Sequence, residues 1–324
     1  MRVFIIVLLL FASACAPRFA APPAAITSPH LAQKGEFVTR DGDALPTQEW
    51  GPRRPEAVII ALHGMNDYAN AFADPARALS AAGILTIAYD QRGFGRTATR
   101  GIWPGEEVMV RDLDDAVAAA RSRYPNVPVF VLGESMGGSV AILWAQRTGG
   151  EGVDGVILSA PAVWGWRTLN PVYRVALSLS ARVFPSKTFT GSNLKIWPSD
   201  NIEMLRALSR DPFVIKATRT DAIYGLVTLM DDAYEAAPKI PDVPVLVLYG
   251  QKDQIIPKKP IRRALEARHT IRTRFVYYPH GYHMLLRDLS RAAVTADIAA
   301  WIHDPGAPLP SGAEDSALNH LSKD

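Results

Sequence analysis

Cysteine is all but absent from this chain of 324 residues: Cys15 is the only one. No disulfide can form within it, so the fold must stand on its apolar core. Excess charge is missing as well. The 35 Lys and Arg residues against 32 Asp and Glu leave a net charge of +3, and the densest basic group, Lys258, Lys259, Arg262 and Arg263, reads as the solvated face of one helix. A nucleic-acid surface is not indicated. The chain shows no repeat at solenoid periods and no grouping of His, Cys and carboxylates at metal-ligand spacing. Asp90-Gln91-Arg92-Gly93-Phe94-Gly95 lacks the dinucleotide spacing, and no Lys-Ser or Lys-Thr pair follows it as in a P-loop. It reads as a structural turn, and neither metal nor cofactor is expected.

Long hydrophobic runs are lacking too. The apolar stretch over residues 3–11 falls far short of the ~20 residues that span a bilayer. Preceded by Arg2 and followed by Ala12, Ser13 and Ala14, it has the layout of a signal peptide over residues 1–14. Ala12-Ser13-Ala14-Cys15 resembles the lipobox of bacterial lipoproteins, which implies a lipid anchor on Cys15 and attachment to a membrane. Residues 15–35, rich in alanine and proline and without periodicity, read as a tether. The expected location is the bacterial cell envelope. Ala16 after the cysteine resembles the default for the periplasmic face of a Gram-negative outer membrane.

From residue 36 the pattern becomes regular, with short strands expected at 36–39 and 45–50 around the turn Asp41-Gly42-Asp43. Apolar runs at 58–62, 84–89, 127–132, 155–158 and 243–249 fit strands covered on both faces, and a further strand is expected at 274–278. Helical patterns lie between them. The clearest covers 105–123, with acidic residues near its start and Arg121 and Arg123 near its end, as the helix dipole favours. Others cover 137–147, 260–268 and a closing stretch to about 302. This alternation predicts an α/β fold, a mostly parallel central sheet with helices on both faces. The rhythm breaks over 162–240, where apolar helical stretches such as 172–184 and 221–234 occur without a convincing buried strand. That region reads as an inserted helical cap between core segments 36–161 and 241–303, and the polar stretch 304–324 is expected to be disordered.

Every chemical candidate falls just past the carboxyl end of an expected strand, the edge at which open α/β sheets hold their ligands. Gly133-Glu134-Ser135-Met136-Gly137 places a serine on a strand-to-helix turn, with glycine two positions before and two after. Such a turn lifts the hydroxyl clear of the sheet and aims the next N–H, that of Met136, at whatever the hydroxyl attacks. A serine hydroxyl needs a base, and the base an orienting carboxylate. His280 and His283 share the loop after the last strand, and position alone does not separate them. Gly281 permits a sharp turn back over the sheet and favours His283. Asp253 is the only carboxylate in the loop 249–253. Ser135, Asp253 and His283 therefore occur in the order serine, acid, histidine, each after its own strand. A second N–H for a developing oxyanion is expected from Met65 in His63-Gly64-Met65, with His63 itself structural.

In these landmarks, together with Tyr249-Gly250-Gln251-Lys252-Asp253 and Gly281-Tyr282-His283, the chain resembles the α/β-hydrolases of the monoacylglycerol lipase and lysophospholipase branch. The resemblance implies the α/β-hydrolase fold and a serine hydrolase of carboxylic esters. Ser135 would be its nucleophile, His283 the base, Asp253 the orienter, and the Met65 and Met136 amides the oxyanion hole. Single-chain lipid esters, monoacylglycerols or lysophospholipids, are the implied substrates. Glu134 departs from the histidine that relatives often carry, Gln91 from an apolar residue and Thr97 from serine. Trp164, Trp166 and Trp197, with Leu169, Tyr173, Leu177, Phe184 and Phe189, are expected to line an acyl cleft under the cap. The same triad serves a short-acyl esterase, a thioesterase or a peptidase. A catalytically inactive cell-envelope binding protein is the rival of another class, and the intact serine, acid and histidine speak against it.

Overall fold

The computed structural model describes residues 24–32, 35–191, 195–266 and 272–314. Its strands are β1 (His30–Ala32), β2 (Glu36–Val38), β3 (Ala44–Trp50), β4 (Ala57–Leu62), β5 (Ile84–Tyr89), β6 (Val129–Glu134), β7 (Gly155–Ser159), β8 (Thr188–Thr190), β9 (Ala217–Arg219), β10 (Val245–Gly250) and β11 (Thr273–Tyr278). The longer helices are α1 (Ala73–Ser80), α2 (Glu106–Arg123), α3 (Met136–Thr148), α4 (Pro171–Val183), α5 (Ile202–Arg210), α6 (Thr220–Ala236), α7 (Lys258–Glu266) and α8 (Arg291–His303).

Among the described residues one sheet runs in the order β1-β2-β3-β5-β4-β6-β7-β10-β11. From β5 to β11 the pairing is parallel, and β1 to β3 form an antiparallel margin. Every residue of β4 is buried, as a central parallel strand requires. Its side chains alternate: Val58, Ile60 and Leu62 join the core under α2 and α3, whereas Ala57, Ile59 and Ala61 join the core under α1 and α8. The strand order reverses between β4 and its neighbours β5 and β6, and the carboxyl edge at that point faces the cap.

The cap joins the core chiefly through α6, whose Leu229, Met230 and Ala233 are buried in the same cluster as α3. Helix α4, started by Pro171 and capped by the Asn170 side chain on the Val172 N–H, buries only Ala181. Helix α5 buries no residue. The cap also holds a feature the sequence did not announce, the two-stranded antiparallel ribbon of β8 and β9. All of β8 is exposed, so it carries no apolar pattern to read.

Two boundaries differ from expectation. Strand β1 lies within the stretch read as tether and pairs with β2, because the backbone groups of that margin need partners. Residues 304–314, read as part of a disordered tail, pack back on the core. Leu309 is buried, Ser311 donates to the carboxylate of buried Asp297, and Glu314 pairs with Arg274. The signal peptide expected over 1–14 and Cys15 fall within residues 1–23, which, like the end of the helix expected to 268 and the last part of the tail (315–324), lie outside the described residues. Among the described residues no helix is long and apolar enough to cross a membrane.

Candidate active site

Strand β6 runs into α3 through Ser135, whose backbone sits at φ 53° and ψ −114°. A non-glycine residue holds positive φ only where its surroundings impose it. They do so here by hydrogen bonding: the Ser135 N–H donates to Ser159 O at 3.0 Å, and its carbonyl accepts from Gly138 N and Ala162 N. Glycine is needed for contact rather than for dihedral freedom. A Cβ on Gly133 would lie 2.4 Å from the Gly137 carbonyl oxygen, and one on Gly137 2.2 Å from that of Leu62. The first N–H groups of a helix have no intrahelical acceptor, so the Met136 amide at the start of α3 is open to an anionic oxygen.

Asp253 and His283 meet across the loops that follow β10 and β11. The Asp253 side chain is fully buried. Its Oδ1 accepts from Ile255 N at 2.7 Å and Ile256 N at 3.0 Å, which turns Oδ2 toward His283 Nδ1, 2.8 Å away. With Nδ1 so engaged, Nε2 is the nitrogen left for proton transfer. His280 is exposed, outside this arrangement. Gly281 plays a different part from the one expected of it. It does not adopt positive φ; a Cβ there would meet Leu285 at 2.4 Å and Gly250 Cα at 3.2 Å, so the acid and base loops touch glycine to glycine.

The loop after β4 stands against the elbow: a Cβ on Gly64 would fall 3.4 Å from Ser135 Cβ and 3.9 Å from its Oγ. Met65 and Ser135 border one cleft. Buried His63 holds this loop. Its Nε2 accepts from Gln91 N at 3.0 Å, so Nδ1 carries the proton donated to Gly64 O, while the Gln91 amide donates to His63 O at 2.8 Å. Burial lowers the pKa of His63 and keeps the ring neutral, as that bonding requires. Gln91, a departure from the expected apolar residue, thus serves as a brace.

The cleft has a volume of about 210 Å³. Trp164, Leu226, Met230, Ile255, Ile256 and Met284 give it apolar walls, and Asp67, Glu134 and Arg287 lie together at its polar end. Of the three tryptophans expected there, only Trp164 lines it. Trp166 packs on Tyr224 and donates to Thr228, and Trp197 is 55% exposed. Tyr173, Phe184 and Phe189 are exposed on the cap. The face of α6 supplies apolar wall in their place. Among the described residues no group of three or more His, Cys, Asp or Glu side chains is placed to hold a metal.

A family profile described as Serine aminopeptidase, S33, matches residues 53–290. The chain belongs to this family. The monoacylglycerol lipase of Mycolicibacterium smegmatis is 28% identical over 275 residues, covering 78% of this chain and 90% of the relative. The monoglyceride lipase of Homo sapiens is 28% identical over 286 residues, covering 85% and 89%. The crystal structure of the Paleococcus ferrophilus monoacylglycerol lipase shares the fold, with a TM-score of 0.68 at 21% identity over 80% of this chain and 98% of that one. This member of the family is a serine hydrolase of carboxylic esters that works through an acyl-enzyme.

Sequence reading missed three polar residues of the site. Asp288, fully buried, accepts from Tyr282 N at 2.7 Å and Ser199 Oγ at 2.6 Å, and so fixes the residue before His283. Asp67 and Arg287 form an ion pair at 2.7 Å. Neither the Ser199–Asp288 bond nor the Asp67–Arg287 pair leaves a local pattern, because in each the partners come from different parts of the chain.

Proposed function

We propose that the protein hydrolyses single-chain lipid esters of the monoacylglycerol type, with Ser135 as nucleophile, His283 as base and Asp253 as its orienter. The observation that carries this reading is the Asp253-braced His283 in the same apolar-walled cleft as Ser135, on its strained turn. His283 Nε2 takes the proton of Ser135 Oγ as the oxygen attacks the ester carbonyl. The carbonyl oxygen, now anionic, rests on the Met65 and Met136 amides. The imidazolium returns the proton to the leaving glycerol oxygen and leaves the acyl group on Ser135. Water then attacks the acyl carbonyl, gives its proton to His283, and the fatty acid departs as the proton returns to Ser135.

The apolar walls of the cleft, given by Trp164, Leu226, Met230, Ile255, Ile256 and Met284, support an ester with an apolar acyl part. Cys15 is proposed as a lipid anchor in the bacterial cell envelope, on the strength of the pattern that precedes it. Brief mixing with monooleoylglycerol followed by acid quench and peptide mass analysis tests the mechanism. The expected result is one oleoyl group on the peptide holding Ser135; acylation elsewhere, or none during turnover, contradicts it.

A further inference from the structure

At the polar end of the cleft stand three charged side chains, each at most 8% exposed: Asp67, Glu134 and Arg287. Arg287 Nη1 lies 2.7 Å from Asp67 Oδ2, and Nη2 lies 3.1 Å from Glu134 Oε2. Each partner belongs to a different part of the site. Asp67 is two residues beyond Met65, on a turn closed by its own N–H on Gly64 O at 3.3 Å. Glu134 immediately precedes Ser135. Arg287 lies four residues beyond His283, at the end of the short 3-10 turn Leu285–Arg287.

We infer that Arg287 is a positioning residue for ester hydrolysis: one guanidinium that locks the oxyanion loop and the nucleophile turn to the loop of the base. The inference rests on Ser135 being the nucleophile. Stability alone is a poor reason for such a cluster. Three charges withdrawn from water carry a desolvation cost that their attraction barely offsets, and apolar replacements of buried ion networks are often neutral or stabilising. The cluster is also imperfect as a structural device, for Glu134 Oε1 and Arg287 Nε are buried without a hydrogen-bond partner among the described residues. What it supplies is geometry. A planar guanidinium with fixed donors holds two carboxylates at a set separation, which a lysine ammonium on a flexible stem does not. Glu134 is then the elbow's half of the tie.

The test compares wild type with Arg287→Lys and with the charge-free combination Asp67→Asn, Glu134→Gln and Arg287→Met. The readouts are Tm, kcat and KM on p-nitrophenyl butyrate, and the rate at which a fluorophosphonate labels Ser135. The charge-free variant is expected to fold with a Tm near wild type, because no uncompensated charge remains. Its kcat should nevertheless fall by about 30- to 100-fold, the scale of a misplacement of about 1 Å. KM should change by less than about threefold and labelling should slow in step with kcat. Arg287→Lys should lose kcat in the same direction. Wild-type kcat in the charge-free variant, or a loss carried by KM, overturns the inference. If that variant does not fold, Glu134→Ala and Glu134→Gln decide. The alanine should lose kcat and the glutamine, which keeps an acceptor for Arg287, should restore most of it; equal kcat in both overturns the inference. Failure of wild type to label at Ser135 would refute the nucleophile assignment instead, a separate result.

Discussion

A methyl group on Gly137 would sit 2.2 Å from the carbonyl oxygen of Leu62, backbone of the central strand β4 that cannot readily yield. Gly137→Ala is expected to cost about 1–3 kcal/mol of stability and to move Ser135, seen as a lower Tm together with slower fluorophosphonate labelling. Asp253→Asn tests the base. The asparagine oxygen can still accept from the Ile255 and Ile256 amides, which turns its NH₂ toward His283 Nδ1 and imposes the wrong tautomer. A loss in kcat of about 10⁴-fold at little change in Tm is expected; a loss below tenfold would deny Asp253 its role. These residues were legible because each terminates an apolar run and the three occur in a fixed order. Arg287 was not, since its meaning arises only when Asp67 and Glu134 are folded beside it. Gly281 was singled out for a turn, yet what needs glycine there is the contact with Gly250, and contact across loops leaves no mark in a local pattern.

Helices α2, α3 and α6 meet at Glu106, the first residue of α2. Burial, and next the Asp232 carboxyl of α6, push its pKa up from 4.5 to about 7 despite the pairing with Arg147 of α3. The folded protein thus keeps a proton that the unfolded chain releases near 4.5. This contribution to stability is fully present below that value and is lost as pH rises through about 7. Glu106→Gln stays neutral, so its Tm should gain on wild type between about pH 5 and 8; a difference independent of pH would contradict the shift. The elements themselves were largely readable. Runs such as 58–62 and 84–89 became β4 and β5 because a central parallel strand must be apolar on both faces. The elements that escaped, β1, β8 and β9, are three residues each and carry no continuous apolar run. Residues 304–314 read as solvated because their partners, Asp297 of α8 and Arg274 of β11, meet them only once the chain has folded back on the core.

As a whole, the molecule sets a sheet edge, where the loops bearing Met65, Ser135 and His283 converge, beneath a cap joined to it mainly through α6. The lipid anchor proposed at Cys15 would hold the enzyme at a membrane surface, beside the lipid esters proposed as its substrates. Expressed in a bacterium, the full chain is expected to sediment with membranes and Cys15→Ser to lose its lipid modification, read by mass spectrometry of the mature N-terminus; an unmodified Cys15 would rule out the anchor. The apolar walls of the cleft make the size of the acyl part the discriminator of activity to test. The most direct measurement is therefore fatty-acid release from monooleoylglycerol, trioleoylglycerol and p-nitrophenyl acetate by the chain from Ala16 onward, beside its Ser135→Ala variant. Turnover highest on monooleoylglycerol, weak on the triacyl ester and absent from the variant is the predicted result. Turnover confined to the acetyl ester, or surviving in the variant, would contradict it.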